Sequence, residues 1–327
     1  MYMTDLSTSF AGLSLKSPLI VSSSGLTSSV DRIKKLAAAG AGAVVLKSLF
    51  EEQINFEIQN MAEGQDYPEA YDYIRTYARE NSLGEYLSLL RAAKEAVDIP
   101  VIASINCVSA SEWIDFADKI AGAGADALEL NIYFLPIRKD KEPRDYEKAY
   151  LNLVSEVKKK TALPLIIKLG PGFSNLTWMV DQLYQRGAAA AVLFNRFYAP
   201  DINTENLSFG SAEVLSTPAE LRNSLRWIGI VSSQVDQLDL AASTGVHSGL
   251  AVVKQILAGA KAVQVCSVLY RNGLDYIKDM TAEIKKWMEK HNYKSPADFR
   301  GKLNYGSLDD PSVYERAQFM KFFSSMH

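Results

Sequence analysis

The sequence predicts an α/β fold, a single (β/α)₈ TIM barrel, and three observations carry that expectation. Short apolar runs alternate with longer amphipathic stretches, the pattern of parallel strands joined by crossover helices. The runs number eight, the count that closes a barrel. Several follow a Gly-Ala element, at 39–42, 121–125, 186–188 and 258–260. Glycine there can end a helix with left-handed backbone, and alanine lets the chain turn tightly into the next strand. A doubly wound open sheet shows the same alternation and is the alternative architecture. Eight runs in 327 residues favour the barrel, which takes ~250 residues before extensions.

In chain order the strands are expected at Leu19–Ser22, Ala43–Leu46, Val101–Ser104, Ala127–Leu130, Leu165–Lys168, Ala190–Phe194, Leu238–Ala242 and Ala262–Val265. Pro100 and Pro164 precede the third and fifth, where a missing N–H at the strand entrance costs little. Ser48–Ser82 and Asn195–Val235 are too long for simple turns. Both read as long loops over the carboxyl-terminal mouth, candidate lids or substrate walls, the second with a helix near Ala219–Val231. After the last strand, Leu274–His291 reads as an amphipathic closing helix. Tyr293–His327 reads as a polar, aromatic tail that packs elsewhere on the molecule or serves an interface. The whole chain, 1–327, is read as one domain with 274–327 as its closing helix and tail.

Composition narrows the function classes. The net charge is −3 and the basic residues are dispersed, which leaves no electrostatic footprint for nucleic acid. Two cysteines, Cys107 and Cys266, make no disulfide framework, and three histidines lack metal-ligand spacing, so no metal site is expected. A reducing cytoplasm fits this usage. Met1–Phe10 lacks an apolar core of the kind a signal peptide has, and no apolar run reaches the ~18 residues of a membrane span, so a soluble protein is expected.

Polar residues stand where each strand stops: Ser23 and Ser24, Lys47 and Ser48, Asn106, Asn131, Lys168, Asn195, Thr244 and Gly245, Cys266 and Ser267. In a barrel these positions form the ring that carries catalytic groups. Taken singly, each has a plainer reading as a helix cap or loop residue. The strongest local signal is Ala242-Ser-Thr-Gly-Val-His-Ser-Gly249, followed one helix and one strand later by Val265-Cys-Ser267. A glycine-containing loop opening onto a helix start offers backbone N–H groups to a phosphate, and barrels bind phosphate after strands seven and eight. His247 reads as an N-terminal cap or an exposed residue ahead of a catalytic base. Lys47 and Lys168 end apolar strands, where a lysine either faces an anion or electron-rich ring or snorkels to solvent.

From Pro18 to about Leu308 the chain resembles the soluble class 1 dihydroorotate dehydrogenases and their relatives. The parallels are Pro-Leu-Ile-Val-Ser-Ser-Ser-Gly at 18–25, Gly-Ala-Val-Val-Leu-Lys-Ser at 42–48, Asn-Ser-Leu-Gly at 81–84, Leu-Glu-Leu-Asn at 128–131 and Ile-Lys-Leu at 167–169. They continue with Thr-Gly-Val at 244–246, Leu-Ala-Gly-Ala at 257–260, Gln-Val-Cys-Ser at 264–267 and Tyr-Lys-Ser-Pro-Ala-Asp-Phe-Arg-Gly-Lys-Leu at 293–303. The resemblance implies a barrel that binds flavin mononucleotide (FMN). Ser24, Gly25, Lys47, Ser48, Asn131, Lys168 and Asn195 would touch its ring or ribityl chain, and Thr244, Gly245, Val246, Cys266 and Ser267 would hold its phosphate. A lysine at the pyrimidine edge stabilises the anion formed when N5 accepts hydride, the role implied for Lys168. Lys47, Asn81, Asn131 and Asn195 match substrate-contacting positions. The related soluble enzymes are dimers, so a homodimer is implied.

Departures from the family pattern bear on the chemistry. After its asparagine the family's fourth-strand loop runs into a Ser-Cys-Pro-Asn type sequence whose cysteine or serine removes a substrate proton. Here Asn131 is followed by Ile-Tyr-Phe-Leu-Pro, and Phe134 cannot accept a proton. A tyrosine, Tyr133 or Tyr198, is the remaining candidate, and a phenol with its ordinary pKa of about 10 needs activation, for example by a lysine. The loop Leu-Phe-Glu-Glu-Gln at 49–53 departs from the family's basic one. Arg196 replaces a small residue and either grips a substrate carboxylate or pairs with an acid such as Asp201. The leading expectation is an FMN oxidoreductase acting on a small dihydropyrimidine-like or carboxylate substrate. Lys168, Tyr133 and Lys47 are its catalytic candidates, and its electrons leave to a soluble acceptor or a separate subunit. Two others stay open: a flavin-free phosphate-binding aldolase or isomerase with a reactive lysine, and an FMN-binding barrel that has lost its base.

Overall fold

A computed structural model describes residues 4–62, 68–107, 110–211 and 213–316. Eight parallel strands close into a barrel: β1 (Leu19–Val21), β2 (Ala43–Val45), β3 (Val101–Asn106), β4 (Ala127–Asn131), β5 (Leu165–Leu169), β6 (Ala188–Leu193), β7 (Asp239–Ala242) and β8 (Ala262–Val265). Each pairs with its neighbour in sequence, and Val263 opposite Leu19 joins the last to the first. The barrel rather than the open sheet is therefore correct, and all eight strands lie where the apolar runs place them, within a residue or two at the ends.

Side-chain alternation along each strand separates two cores. Ile20, Ala43, Val45, Ile102, Ala127, Ile166, Ala190, Val192, Ala241 and Ala262 point inward and are fully buried. Their alternates, including Leu19, Val44, Leu128, Ile167 and Val263, pack outward against helices. Half of these ten are alanines, which leaves room for a plug. Thr8–Phe10 and Leu13–Leu15 form an antiparallel hairpin whose Phe10 and Leu15 fill the amino-terminal end. Its two-residue turn has positive φ at both Ala11 and Gly12, the twist-matched geometry for hairpins. Asp239 fixes it in place by accepting from the Ala11 N–H at 2.9 Å.

The outer ring is helical. It comprises α1 (Val30–Ala38), α2 (Glu51–Ala62), α3 (Pro68–Ala96), α4 (Ala110–Gly122), α5 (Pro143–Lys160), α6 (Leu176–Gln185), α7 (Leu221–Gln234), α8 (Gly249–Ala258), the short α9 (Ser267–Asn272) and α10 (Tyr276–Lys290). The last two helical expectations hold, with α7 near 219–231 and α10 within 274–291. The described residues of Ser48–Ser82 do not form one long loop. They build α2 and the start of α3, because Ile54 and Ile58, then Leu83, Tyr86, Leu90 and Ala93, recur at helical spacing and are buried. Asn195–Val235 does carry irregular chain before α7, including an exposed hairpin of Pro200–Asn203 with Ser208–Ser211. The tail packs on the barrel's own helices as far as residue 316: Gly301 and Leu303 donate backbone bonds to Ile256 and Leu257 of α8, and Phe299 is fully buried beside Trp287. Residues 317–327 of that tail lie outside the described residues. No helix among the described residues is long and apolar enough to cross a membrane.

The plug supplies a stability test. Phe10→Ala should cost about 3–5 kcal/mol, the usual loss when a fully buried aromatic leaves a cavity. A lowered urea midpoint at unchanged slope is the expected outcome, and a midpoint unmoved by the substitution would show that the hairpin does not support the barrel.

Candidate functional site

Two residues beyond the inward apolar layer, towards the strands' carboxyl ends, the same alternation brings in polar groups. Ser22, Ser104, Glu129, Lys168 and Gln264 all point into the barrel, none more than 5% exposed. An ammonium has three N–H donors. Those of Lys168 reach Ser22 Oγ at 2.9 Å, Gln264 Oε1 at 2.8 Å and Glu129 Oε1 at 3.5 Å. Gln264 bridges the pair, donating through Nε2 to Glu129 Oε2 at 2.5 Å. Lys168 therefore does not snorkel. A buried charge persists only when paired and hydrogen-bonded, and this network meets both conditions.

Beside this floor runs a hydroxyl chain. Ser23 Oγ lies 3.0 Å from Ser48 Oγ, which lies 2.7 Å from Ser104 Oγ. The Tyr86 hydroxyl of α3 donates to the Ser104 carbonyl and accepts from the Ser104 N–H. Burial pushes its ionisation well above the ordinary phenol range, so Tyr86 stays a neutral donor. Across the barrel, Asn195 Nδ2 donates to Asn131 Oδ1 at 2.7 Å. This bond uses neither the Asn195 Oδ1 acceptor nor the Asn131 NH₂ donors.

Above the floor opens a cavity of about 570 Å³. Ser24, Lys168 and Asn195 line it together with Thr244–Val246, Cys266 and Ser267, so eight of the twelve sequence-derived cofactor positions share one space. Its volume is within the ~300–1,000 Å³ of small-molecule sites. Thr244 and Gly245 both have positive φ, and a Cβ on Gly245 would lie 2.1 Å from the Leu221 nitrogen, so only glycine fits. The loop is steadied by the Thr244 hydroxyl, which donates to the Phe194 carbonyl, and by the Ser216 hydroxyl, which accepts from the Gly245 N–H at 3.4 Å. A polar wall with the Ser24 and Ser267 hydroxyls and a lysine at the floor fit an anionic, hydrogen-bonding group such as FMN.

One expectation is corrected. The helix start following the glycine loop, at α8, does not await a phosphate. Glu283 of α10 accepts from the Gly249 N–H at 2.6 Å, and Ser248 rather than His247 caps the helix, accepting from Ala251. The carboxylate already satisfies the groups and the dipole that an anion would use. A phosphate in this cavity would meet the loop 244–246 and the Cys266–Ser267 corner instead. His247 turns inward to Ser216, its Nε2 3.1 Å from the hydroxyl. Burial and the Arg271 charge lower its pKa, so it is neutral at pH 7.

Not every predicted residue joins this cavity. Lys47 is exposed and shares a neighbouring groove of about 320 Å³ with Asn81, which sits on the outside of α3 and bonds Glu85 one turn on. Ser48 is buried behind Ser23, and Gly25 begins a 3₁₀ turn with the Tyr270 hydroxyl against it. Asn131 reaches the cavity through Asn195. Arg196 lines the cavity, yet its partner is Glu220, 3.0 Å away, rather than Asp201, because the 3₁₀ turn at Pro218–Glu220 lies nearer than the exposed hairpin. Tyr133 stacks on Phe197 at 3.7 Å between centroids, directly over Gly170. Phe134 turns away and packs edge-on against Tyr150. Tyr198 is bonded to Gly210 on the exposed hairpin, which removes it as a candidate base.

Sequence reasoning missed Glu129, Gln264, Ser22 and Ser216. The first two had a signal, a lone polar residue inside Leu-Glu-Leu and Val-Gln-Val at the position in phase with Lys168. Ser216 had none, since a loop residue reaches the glycine loop at 244–246 only through tertiary folding.

Comparison with known proteins agrees with this geometry. The dihydroorotate dehydrogenase family model matches residues 5–288. The chain is similar to the catalytic subunit of dihydroorotate dehydrogenase B (NAD(+)) from Thermoplasma volcanium, 26% identical over 91% of this chain and 98% of the relative. It is also similar to dihydroorotate dehydrogenase A (fumarate) from Limosilactobacillus reuteri, 26% identical over 90% of this chain and 96% of that one. A further relative is the chloroplastic dihydropyrimidine dehydrogenase (NADP(+)) of Arabidopsis thaliana, 22% identical over 91% and 76%.

Both thiols are raised in pKa by burial, which places less thiolate at any given pH. For Cys107 the charges of Glu51 and Glu112 add to the effect, and for Cys266 the Ser24 hydroxyl and Lys168 partly offset it. Neither should react with a disulfide reagent at pH 7.5 within about a tenth of the rate of an exposed cysteine, and both should react once unfolded. A fast phase in the folded protein would show that Cys266 is activated.

Proposed function

The chain belongs to the dihydroorotate dehydrogenase family, and from that premise we propose that it is an FMN-dependent dehydrogenase acting on a CH–CH bond of a small dihydropyrimidine-like or carboxylate substrate. One observation carries this reading: the buried ammonium of Lys168 lies at the floor of a cavity whose wall is Thr244–Val246, Cys266 and Ser267. When bound, FMN supplies a ring that accepts hydride at N5 and gains negative charge on its pyrimidine side.

The chain's own residues supply the rest. Lys168 holds positive charge where that negative charge develops, in a space with little water to screen it. Ser24 and Asn195 position the ring and ribityl chain from the cavity wall, with Gly25, Ser48 and Asn131 supporting them from behind it, and the loop 244–246 with Cys266 and Ser267 takes the phosphate. Lys47, Asn81 and Arg196, with the amide groups of Asn131 and Asn195, are assigned to the substrate and its carboxylate. Removal of a substrate proton falls to Tyr133, the polar group beside Asn131, with Lys47 as the mobile cation of the mouth. Dihydroorotate is the first substrate to try. Electrons leave to a soluble acceptor or a separate electron-transfer subunit, which the catalytic-subunit relatives support. A cytoplasmic homodimer completes the reading.

The test is anaerobic reduction of the purified protein, followed by the loss of oxidised-flavin absorbance, with a panel that begins with dihydroorotate. Yellow protein bleached by at least one member is expected. Lys168→Ala should slow bleaching by about 10²–10³-fold and Tyr133→Phe by about 10²–10⁴-fold. Colourless protein that takes up no FMN would end the flavin assignment, and full activity in Tyr133→Phe would end that residue's role.

A further inference from the structure

The charges at the cavity floor come as a pair. Lys168 commits two N–H groups at ordinary lengths, to Ser22 and Gln264, whereas the nearer Glu129 oxygen is 3.5 Å away, at the limit of hydrogen-bond geometry. Glu129 thus acts on the lysine chiefly through its charge, and the third N–H is only loosely held. The carboxylate is itself fixed, with no exposed surface and its other oxygen bonded to Gln264. The Tyr86 hydroxyl, whose ionisation Glu129 also opposes, is neutral and cannot cancel it. A molecule resting above this floor therefore meets a cation–anion dipole, whose field falls off faster with distance than that of a lone ammonium.

We infer that Glu129 is a positioning residue that holds the Lys168 ammonium at the cavity floor and, as its buried counter-charge, makes a bound flavin harder to reduce than Lys168 alone would. This rests on the FMN reading above. Lysine stabilises the electron-rich ring and glutamate opposes it, so the pair sets the potential through both members rather than through the cation alone. Gln264 enforces the arrangement by bonding both partners at once.

The test is the redox equilibrium of the FMN-loaded protein with a reference dye, in three variants whose flavin content and circular dichroism are checked first. Glu129→Gln keeps the shape and removes the charge; it should shift the equilibrium at least tenfold towards reduced flavin, equivalent to about 30 mV in a two-electron midpoint. Glu129→Leu removes charge and hydrogen bonds and should shift in the same direction. Glu129→Asp keeps the charge and should stay near the parent. Loaded Gln and Leu variants with an unmoved or lowered midpoint would overturn the inference. So would loss of folding in both of them, which would reduce Glu129 to a structural part. Parent protein that takes up no FMN would instead overturn the cofactor reading itself, and this inference with it.

Discussion

Pairing of Val263 with Leu19 returns the eighth strand to the first, and the arrangement at the mouth follows from that closure. Once the sheet is a cylinder, alternate side chains have only the interior to occupy, and the strand register decides which meet at each height. Below, apolar residues and the Phe10 plug fill the space without polar atoms. One layer higher the same phase delivers Ser22, Glu129, Lys168 and Gln264 from four strands to one point. Distant positions in the chain become one network because the backbone is closed.

Much of the fold was legible in the sequence because strands and helices leave periodic traces. Eight apolar runs, the Gly-Ala turns before them and the closing helix all stand where they were read. The segment 48–82 was misread because its length was weighed before its periodicity; Ile54, Ile58, Leu83 and Tyr86 were already spaced for helices. Contacts that depend on where an outer helix ends up were invisible. Glu283 seals the start of α8 from a position 34 residues on, and nothing near the glycine loop announces it. Arg196 found Glu220 rather than Asp201 for the same reason. Within the site, strand-end residues were readable by position, while Glu129 and Gln264 were passed over as interruptions of apolar runs.

The mouth also carries an aromatic wall. The loop after β4 presents aromatic rings: Tyr133 is stacked on Phe197 over Gly170, and Phe134 is packed on Tyr150. A side chain at Gly170 would fall 2.7 Å from the Phe197 ring, so the flat stack depends on that glycine. The wall that results is flat and aromatic, with the Tyr133 phenol in it. Ring faces line this side of the mouth, and the exposed Lys47 lines a separate groove.

Glu283 has a consequence for the chain's architecture. Its carboxylate makes the α8 terminus deaf to anions and at the same time ties the last helix to the segment that follows the glycine loop. A version of this protein cut before α10 would lose more than surface cover. It would also strip the Gly249 and Leu250 N–H groups of their acceptor and leave an uncapped positive helix end a few residues from Thr244–Val246.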